Sequence, residues 1–213
     1  GLHHALNGVF WFDTIGINDI GNFLGGTGVK GVTGMYQAGF FPIMMFGLPA
    51  AALAMYHEAL PTEKAKAGGI LMAAAFATFF TGVTEPLEFL FLFAAPSLFV
   101  VHALLTGLSL FIAATMQWTA GFGFSAGFVD LVLSFQNPIA NEPFMLVVLG
   151  LGFAVVYYLV FRAMIKGLNL KTIGRVAIDE EESSEYVAGG SDKHVTRARK
   201  VIELVGAENI LNV

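Results

Sequence analysis

AGGILMAAAFATFFTGVTEPLEFLFLFAAPSLFVVHALLTGLSLFIAATMQWTAGFGFSAGFV, residues 67–129, holds two charged side chains in 63 positions, Glu85 and Glu88. No soluble surface is built from such a run. At roughly 20 residues per crossing, it is long enough for about three passes through a bilayer. The rest of the chain agrees with it. The 213 residues are 56% hydrophobic, with 21 Phe and 25 Gly, and only 13% are charged. A soluble domain carries about 25% charged residues. This composition, a net charge of −5 and the absence of Cys exclude a disordered chain, a disulfide scaffold and a nucleic-acid binder. The missing Cys also excludes thiolate metal sites and Cys nucleophiles within these residues. What remains is an all-α integral membrane protein.

The charges are segregated. Residues 162–213 hold 16 of the 27 charged side chains. The chain therefore divides near Leu170 into a membrane part and a water-soluble tail. DEEESSEYVAGG, residues 179–190, has the composition of an acidic linker. Beyond it, Val195, Ala198, Ile202 and Val205 share one helical face, and Asn209 to Val213 reads as the start of a strand. The expected division is a membrane domain over 1–175, a linker over 176–193 and the opening of a small α/β domain over 194–213. No basic n-region precedes an apolar stretch, so no signal peptide is expected, and the chain reads as a piece of a longer protein.

The apolar segments are interrupted. Residues 1–28 begin as a short helix and dissolve into Gly, Asn and Asp, a composition tolerable at membrane depth only where it lines a cavity. Residues 38–57 are a span candidate broken by Pro42, Gly47 and Pro49. A loop over 58–66 precedes the apolar run 67–83. Residues 87–105 are broken by Pro96, and 107–129 turn Gly-rich. After the polar turn SFQNPIANEP (134–143), Phe144 to Ile165 is the cleanest helix. Arg162, Lys166, Lys171 and Arg175 follow closely and place the tail in the cytoplasm by the positive-inside rule. Broken helices free backbone groups to hold a substrate near the midplane, which favours a transporter over a purely structural bundle.

Glu85 is the sharpest candidate for chemistry. A carboxylate at the bilayer centre costs about 2.5–3.5 kcal/mol on insertion scales, so it faces a cavity or a partner. Pro86 disfavours helix at Glu85 and puts it at a break, where it can accept sugar hydroxyls or an amide N–H. Its structural alternative is to cap a neighbouring half-helix. Glu88 faces a ligand or a neighbouring helix with equal reason. His3 and His4 point about 100° apart on a helix, so one of them at most meets a given ligand; without further ligands at metal spacing, zinc is not expected. The structural alternative for both is helix packing. His57 and His102 read as structural. Trp11 and Phe12 can stack on a pyranose face, whereas Trp118 reads as packing or an interface belt. Met44 and Met45 read as core, Asp130 as a solvated helix end, and Lys30 as solvated or balancing a carboxylate. GFGFSAG (121–127) reads as a helix-breaking stretch, not a nucleotide fingerprint.

These segments carry a resemblance. GLHHALN with Trp11 and Phe12, GFFPIMMFGLPAAALAMYH (39–57), GVTEPLEFLF (82–91), HALLTG (102–107), FSAGFVD (124–130) and LNLKTIGR (168–175) resemble enzyme IIC, the sugar-translocating membrane domain of the bacterial phosphotransferase system. The likeness covers nearly the whole chain and is to the glucose/N-acetylglucosamine branch, nearer the N-acetylglucosamine permeases. It implies a dimeric inner-membrane protein with broken helices and re-entrant hairpins. This chain would supply the transport half, the cytoplasmic linker and the start of enzyme IIB. It implies sugar contacts by Glu85 and by His3 or His4. The full candidate set is Glu85, His3, His4, Thr84, Glu88, Asn7 and Trp11. No catalytic residue is expected in the chain, which stops before the phosphorylated cysteine of the B domain. The implied partners are the sugar, the IIB and IIA domains, the phosphocarrier protein and membrane lipid, with no cofactor and no nucleic acid. The rival readings are a glucose-specific permease and a secondary transporter that does not phosphorylate.

Overall fold

A computed structural model describes residues 3–175, with side chains from Asn7 onward. The expected linker 176–193, the domain start 194–213 and its helix 195–205 lie outside the described residues, as do the side chains of His3 and His4.

Among the described residues the chain is helical, with one isolated bridge between Thr119 and Asn141. The helices are α1 (His3–Phe10), α2 (Asp19–Leu24), α3 (Met35–Glu58), α4 (Lys64–Thr81), α5 (Glu85–Ala94), α6 (Pro96–Thr115), α7 (Phe128–Ser134) and α8 (Phe144–Gly167). Of these, α3, α6 and α8 are long and apolar enough to cross a membrane.

The breaks expected in residues 38–57 are corrected by the structure. The helical column continues from Met35 to Glu58 through all three residues. Proline removes an N–H and crowds the carbonyl four residues back. Here a π-helical turn over Ile43–Gly47 lies between Pro42 and Pro49, one residue ahead of the latter, and absorbs that mismatch. The loop expected over 58–66 is also shorter, because α4 already begins at Lys64. Three interruptions do form. Gly82 ends α4 at φ 73°, and α5 starts at Glu85. Ala95 leaves helical geometry before Pro96 opens α6. Residues 116–127 form an irregular loop ahead of α7.

Helices in lipid gain little from burying apolar surface against one another, so close fit and hydrogen bonds hold them. Gly39 shows a close fit against backbone. A Cβ there would lie 2.3 Å from the Leu110 Cα, and the Ser109 hydroxyl donates to the Gly39 carbonyl at 2.7 Å. On α4, Thr78 donates to the Met44 carbonyl at 2.8 Å. One core cluster joins α3, α4, α5, α6 and α8 through Leu48, Met55, Leu71, Leu87, Leu98 and Phe161. A second joins Phe41, Met45, Phe122, Leu131 and Leu146 with Trp11 packed against it.

At the far end of α3 and α8, Glu58 gathers three cations. Arg162 Nε lies at 2.7 Å, Lys166 Nζ at 3.6 Å and Arg175 Nη1 at 3.8 Å from its carboxylate. The LNLKTIGR segment is thereby fastened back onto the membrane helices. The Leu60 N–H also donates to the Gly174 carbonyl at 2.8 Å.

Candidate functional site

The GVTEP break builds the site. Thr84 is buried, and its carbonyl accepts the N–H groups of Leu87 and Glu88, which starts α5. Glu85 occupies the first position of that helix and Pro86 the second, where the missing N–H costs nothing. A carboxylate at a helix N-terminus is favoured by the helix dipole. Glu85 is exposed, and its side chain takes no hydrogen bond or ion pair among the described residues. The neighbour-capping role open to it in the sequence is therefore not the one it fills among them.

Glu88, one turn on, faces the neighbouring helix. Its Oε1 lies 3.3 Å from His102 Nε2 on α6. His102 is buried, and its Nδ1 meets the Tyr157 hydroxyl of α8 at 2.9 Å. His57 likewise pairs with Tyr158 at 2.9 Å. His102 is thus held inside the helix packing, and His57 is held at an exposed position.

The structure brings Thr84, Glu85 and Glu88 together in one turn. Asn7 and Trp11 stand at the other end of the sequence, on and just after α1, with the backbone of His3 and His4 in its first turn. Trp11 is half-buried. Its Nε1 donates to the Tyr36 carbonyl at 3.1 Å, and its ring meets Phe40 and Phe122 edge-on. The loop 116–127 touches both groups. Phe122 packs on Trp11, and the Ser125 hydroxyl donates to the Gly82 carbonyl at 2.8 Å, two residues before Thr84.

Sequence reasoning missed the polar core beneath this loop. Asp19 is buried and accepts from the Gly34 N–H at 2.7 Å and the Gln37 amide at 2.8 Å. Gln37 Oε1 in turn accepts the Phe122 N–H at 3.0 Å. Burial pushes the Asp19 carboxyl above its ordinary range, against the pull of the donors from Gln37, Gly34 and Tyr36. A lone Gln at the head of an apolar span was the available signal. An open cavity of about 490 Å³ lies between α2 and α7, lined by Leu24, Gly123, Asp130, Ser134 and Asn137. None of the candidate sugar residues whose side chains are described lines it, and three of its polar side chains are engaged. Asp130 accepts from Gly123, Ser134 donates to Gly121, and Asn137 donates to Phe23.

Comparison with known proteins follows the same lines. The chain is 45% identical over 222 aligned residues to the N-acetylglucosamine-specific EIICBA component of Klebsiella pneumoniae, covering 99% of this chain and 34% of that protein. It is 44% identical to the N-acetylglucosamine-specific EIICB component of Bacillus subtilis, covering 100% of this chain and 46% of the relative. The glucose-specific EIICBA component of Staphylococcus saprophyticus is 39% identical, over 99% of this chain and 32% of its own length. The chain thus spans between about a third and a half of these relatives. Residues 1–107 match the family described as "Phosphotransferase system, EIIC". With half of its length inside that match, and with the helices and the GVTEP break in place, the chain belongs to the EIIC family of the phosphotransferase system.

Proposed function

We propose that the chain binds a sugar, N-acetylglucosamine, and carries it through the bacterial inner membrane for phosphorylation on the cytoplasmic side. The observation that supports this most is Glu85, an exposed carboxylate at a helix break inside an apolar run, without a partner among the described residues. Such a group accepts hydrogen bonds from sugar hydroxyls. Thr84, Glu88, Asn7, Trp11 and one of His3 and His4 complete the proposed site.

The reaction partner is an EIIB component, followed by EIIA and the phosphocarrier protein. A phosphoryl group passes from a cysteine sulfur of EIIB to the sugar 6-hydroxyl. The S–P bond breaks, the O–P bond forms and the hydroxyl proton leaves to a base. Glu85 or the histidine orients that hydroxyl or takes its proton. The linker 176–193 and the residues 194–213 lead into that EIIB domain, and the working protein is a homodimer in lipid. The names of the N-acetylglucosamine-specific relatives, at 44–45% identity against 39% for the glucose-specific one, favour the amide sugar.

The test is uptake of labelled N-acetylglucosamine into membrane vesicles supplied with phosphoenolpyruvate, the phosphocarrier protein and the EIIA and EIIB components. Recovery of the sugar inside as its 6-phosphate is expected. Recovery as free sugar, with uptake that follows an ion gradient, would establish the secondary-transporter reading instead.

Specificity has its own measurement. An added hydrogen bond to the acetamido group contributes about 0.5–1.5 kcal/mol, a preference of about 2- to 13-fold over glucose. A competition assay in which glucose displaces N-acetylglucosamine at lower concentration would reverse the choice of sugar. The tail orientation rests on Arg162, Lys166, Lys171 and Arg175. With Ser184→Cys, a membrane-impermeant thiol reagent added to intact cells should leave the protein unlabelled and should label it after lysis. Labelling of intact cells would invert the topology.

A further inference from the structure

We infer that His102 is a positioning residue for the sugar site, acting through Glu88 to set the rotation of α5 and hence the direction of Glu85. The inference rests on the reading of Glu85 as a sugar ligand. Helix α5 is short, and non-helical residues bound it at both ends, Gly82 to Thr84 and Ala95. Its buried face is Leu87 and Phe91, and apolar contacts of this kind resist rotation weakly because they have no direction. Directional restraint comes from Glu88. Residues three apart on a helix lie on one side, so a constraint on Glu88 is a constraint on Glu85.

His102 supplies that restraint. Its Nε2 lies 3.3 Å from Glu88 Oε1, its Nδ1 lies 2.9 Å from the Tyr157 hydroxyl, and that hydroxyl also donates to the His102 carbonyl at 3.4 Å. The ring thus links α5 through α6 to α8, a long and uninterrupted span. Tyr157 is itself fixed, fully buried with its ring stacked on Phe161 at 5.4 Å. The Phe91 and Phe99 rings enclose the imidazole at 5.7 and 5.8 Å, so it has little room to turn. The short α5 is therefore tied to a rigid reference through His102, at the turn that carries Glu85.

The test is a double-mutant cycle read by equilibrium binding of N-acetylglucosamine to the purified protein in detergent. His102→Ala should weaken binding about 5-fold or more in the presence of Glu85 and cause no further loss in a Glu85→Gln background, since coupled residues are non-additive. His102→Gln should restore most of the affinity, because its amide N–H takes the place of Nε2 toward Glu88. A merely structural histidine would lower thermal stability in all variants without that rescue in affinity. Tyr157→Phe, which keeps the ring stack and removes one hydroxyl, decides the question where His102→Ala yields no folded protein. It should show the same dependence on Glu85. Normal binding by Glu85→Gln alone overturns the sugar-site reading and this inference with it. Weakened binding by Glu85→Gln, with an equal loss from His102→Ala or Tyr157→Phe in both backgrounds, overturns this inference alone.

Discussion

Replacing Glu85 with Gln lowers the affinity for N-acetylglucosamine by roughly 10- to 150-fold while leaving the amount of protein in the membrane nearly unchanged. A hydrogen bond to a charged acceptor contributes about 1.5–3 kcal/mol, which sets that range. The second half of the prediction follows from the position. Glu85 is exposed and without a partner among the described residues, so a neutral amide of the same size leaves no described group unsatisfied. It also inserts into a bilayer more readily than a carboxylate. Binding and membrane protein level are both measured on the variant. Near-normal binding with reduced protein would return Glu85 to a structural role.

Gly39→Leu has the largest expected effect on the fold. Its Cβ alone would come within 2.3 Å of the Leu110 Cα and 2.6 Å of the Leu110 backbone nitrogen. Neither is the end of a flexible side chain, so α3 and α6 must part. The Ser109 hydroxyl bond to the Gly39 carbonyl is lost as they do. Overpacking typically costs about 1–3 kcal/mol, and a clash with backbone belongs at or above the top of that range. Little monodisperse protein should survive extraction. Gly152→Leu is the control, because nothing lies within 4 Å of a Cβ there. Gly152→Leu should extract normally, and equal behaviour of the two variants would contradict the described crossing of α3 and α6.

The helices that matter were legible from composition. Apolar length exposed the span of α8, and the sequence Thr84-Glu85-Pro86 announced its own break, whereas α6 runs unbroken across the boundary expected between residues 105 and 107. Residues 38–57 misled, because Pro42, Gly47 and Pro49 are breakers by propensity, and a π-helical turn that accommodates them leaves no mark in hydropathy. Within the loop 116–127, the glycines of 121–127 signal a helix break and nothing more. The loop's role depends on Phe122 and Ser125 meeting Trp11 and Gly82, contacts between distant parts of the chain. The same reason hid the polar links. His102 and Tyr157 are 55 residues apart, and Glu58 and Arg162 are 104 apart. Burial and charge count can flag such residues, but only the packing of helices pairs them.

Equilibrium dialysis of labelled N-acetylglucosamine against the purified chain in detergent tests the sugar assignment most directly. Saturable binding, displaced by unlabelled N-acetylglucosamine at lower concentration than by glucose and weakened at least about tenfold by Glu85→Gln, is the expected result. Binding of neither sugar to well-folded protein, or saturable binding indifferent to Glu85, would contradict it.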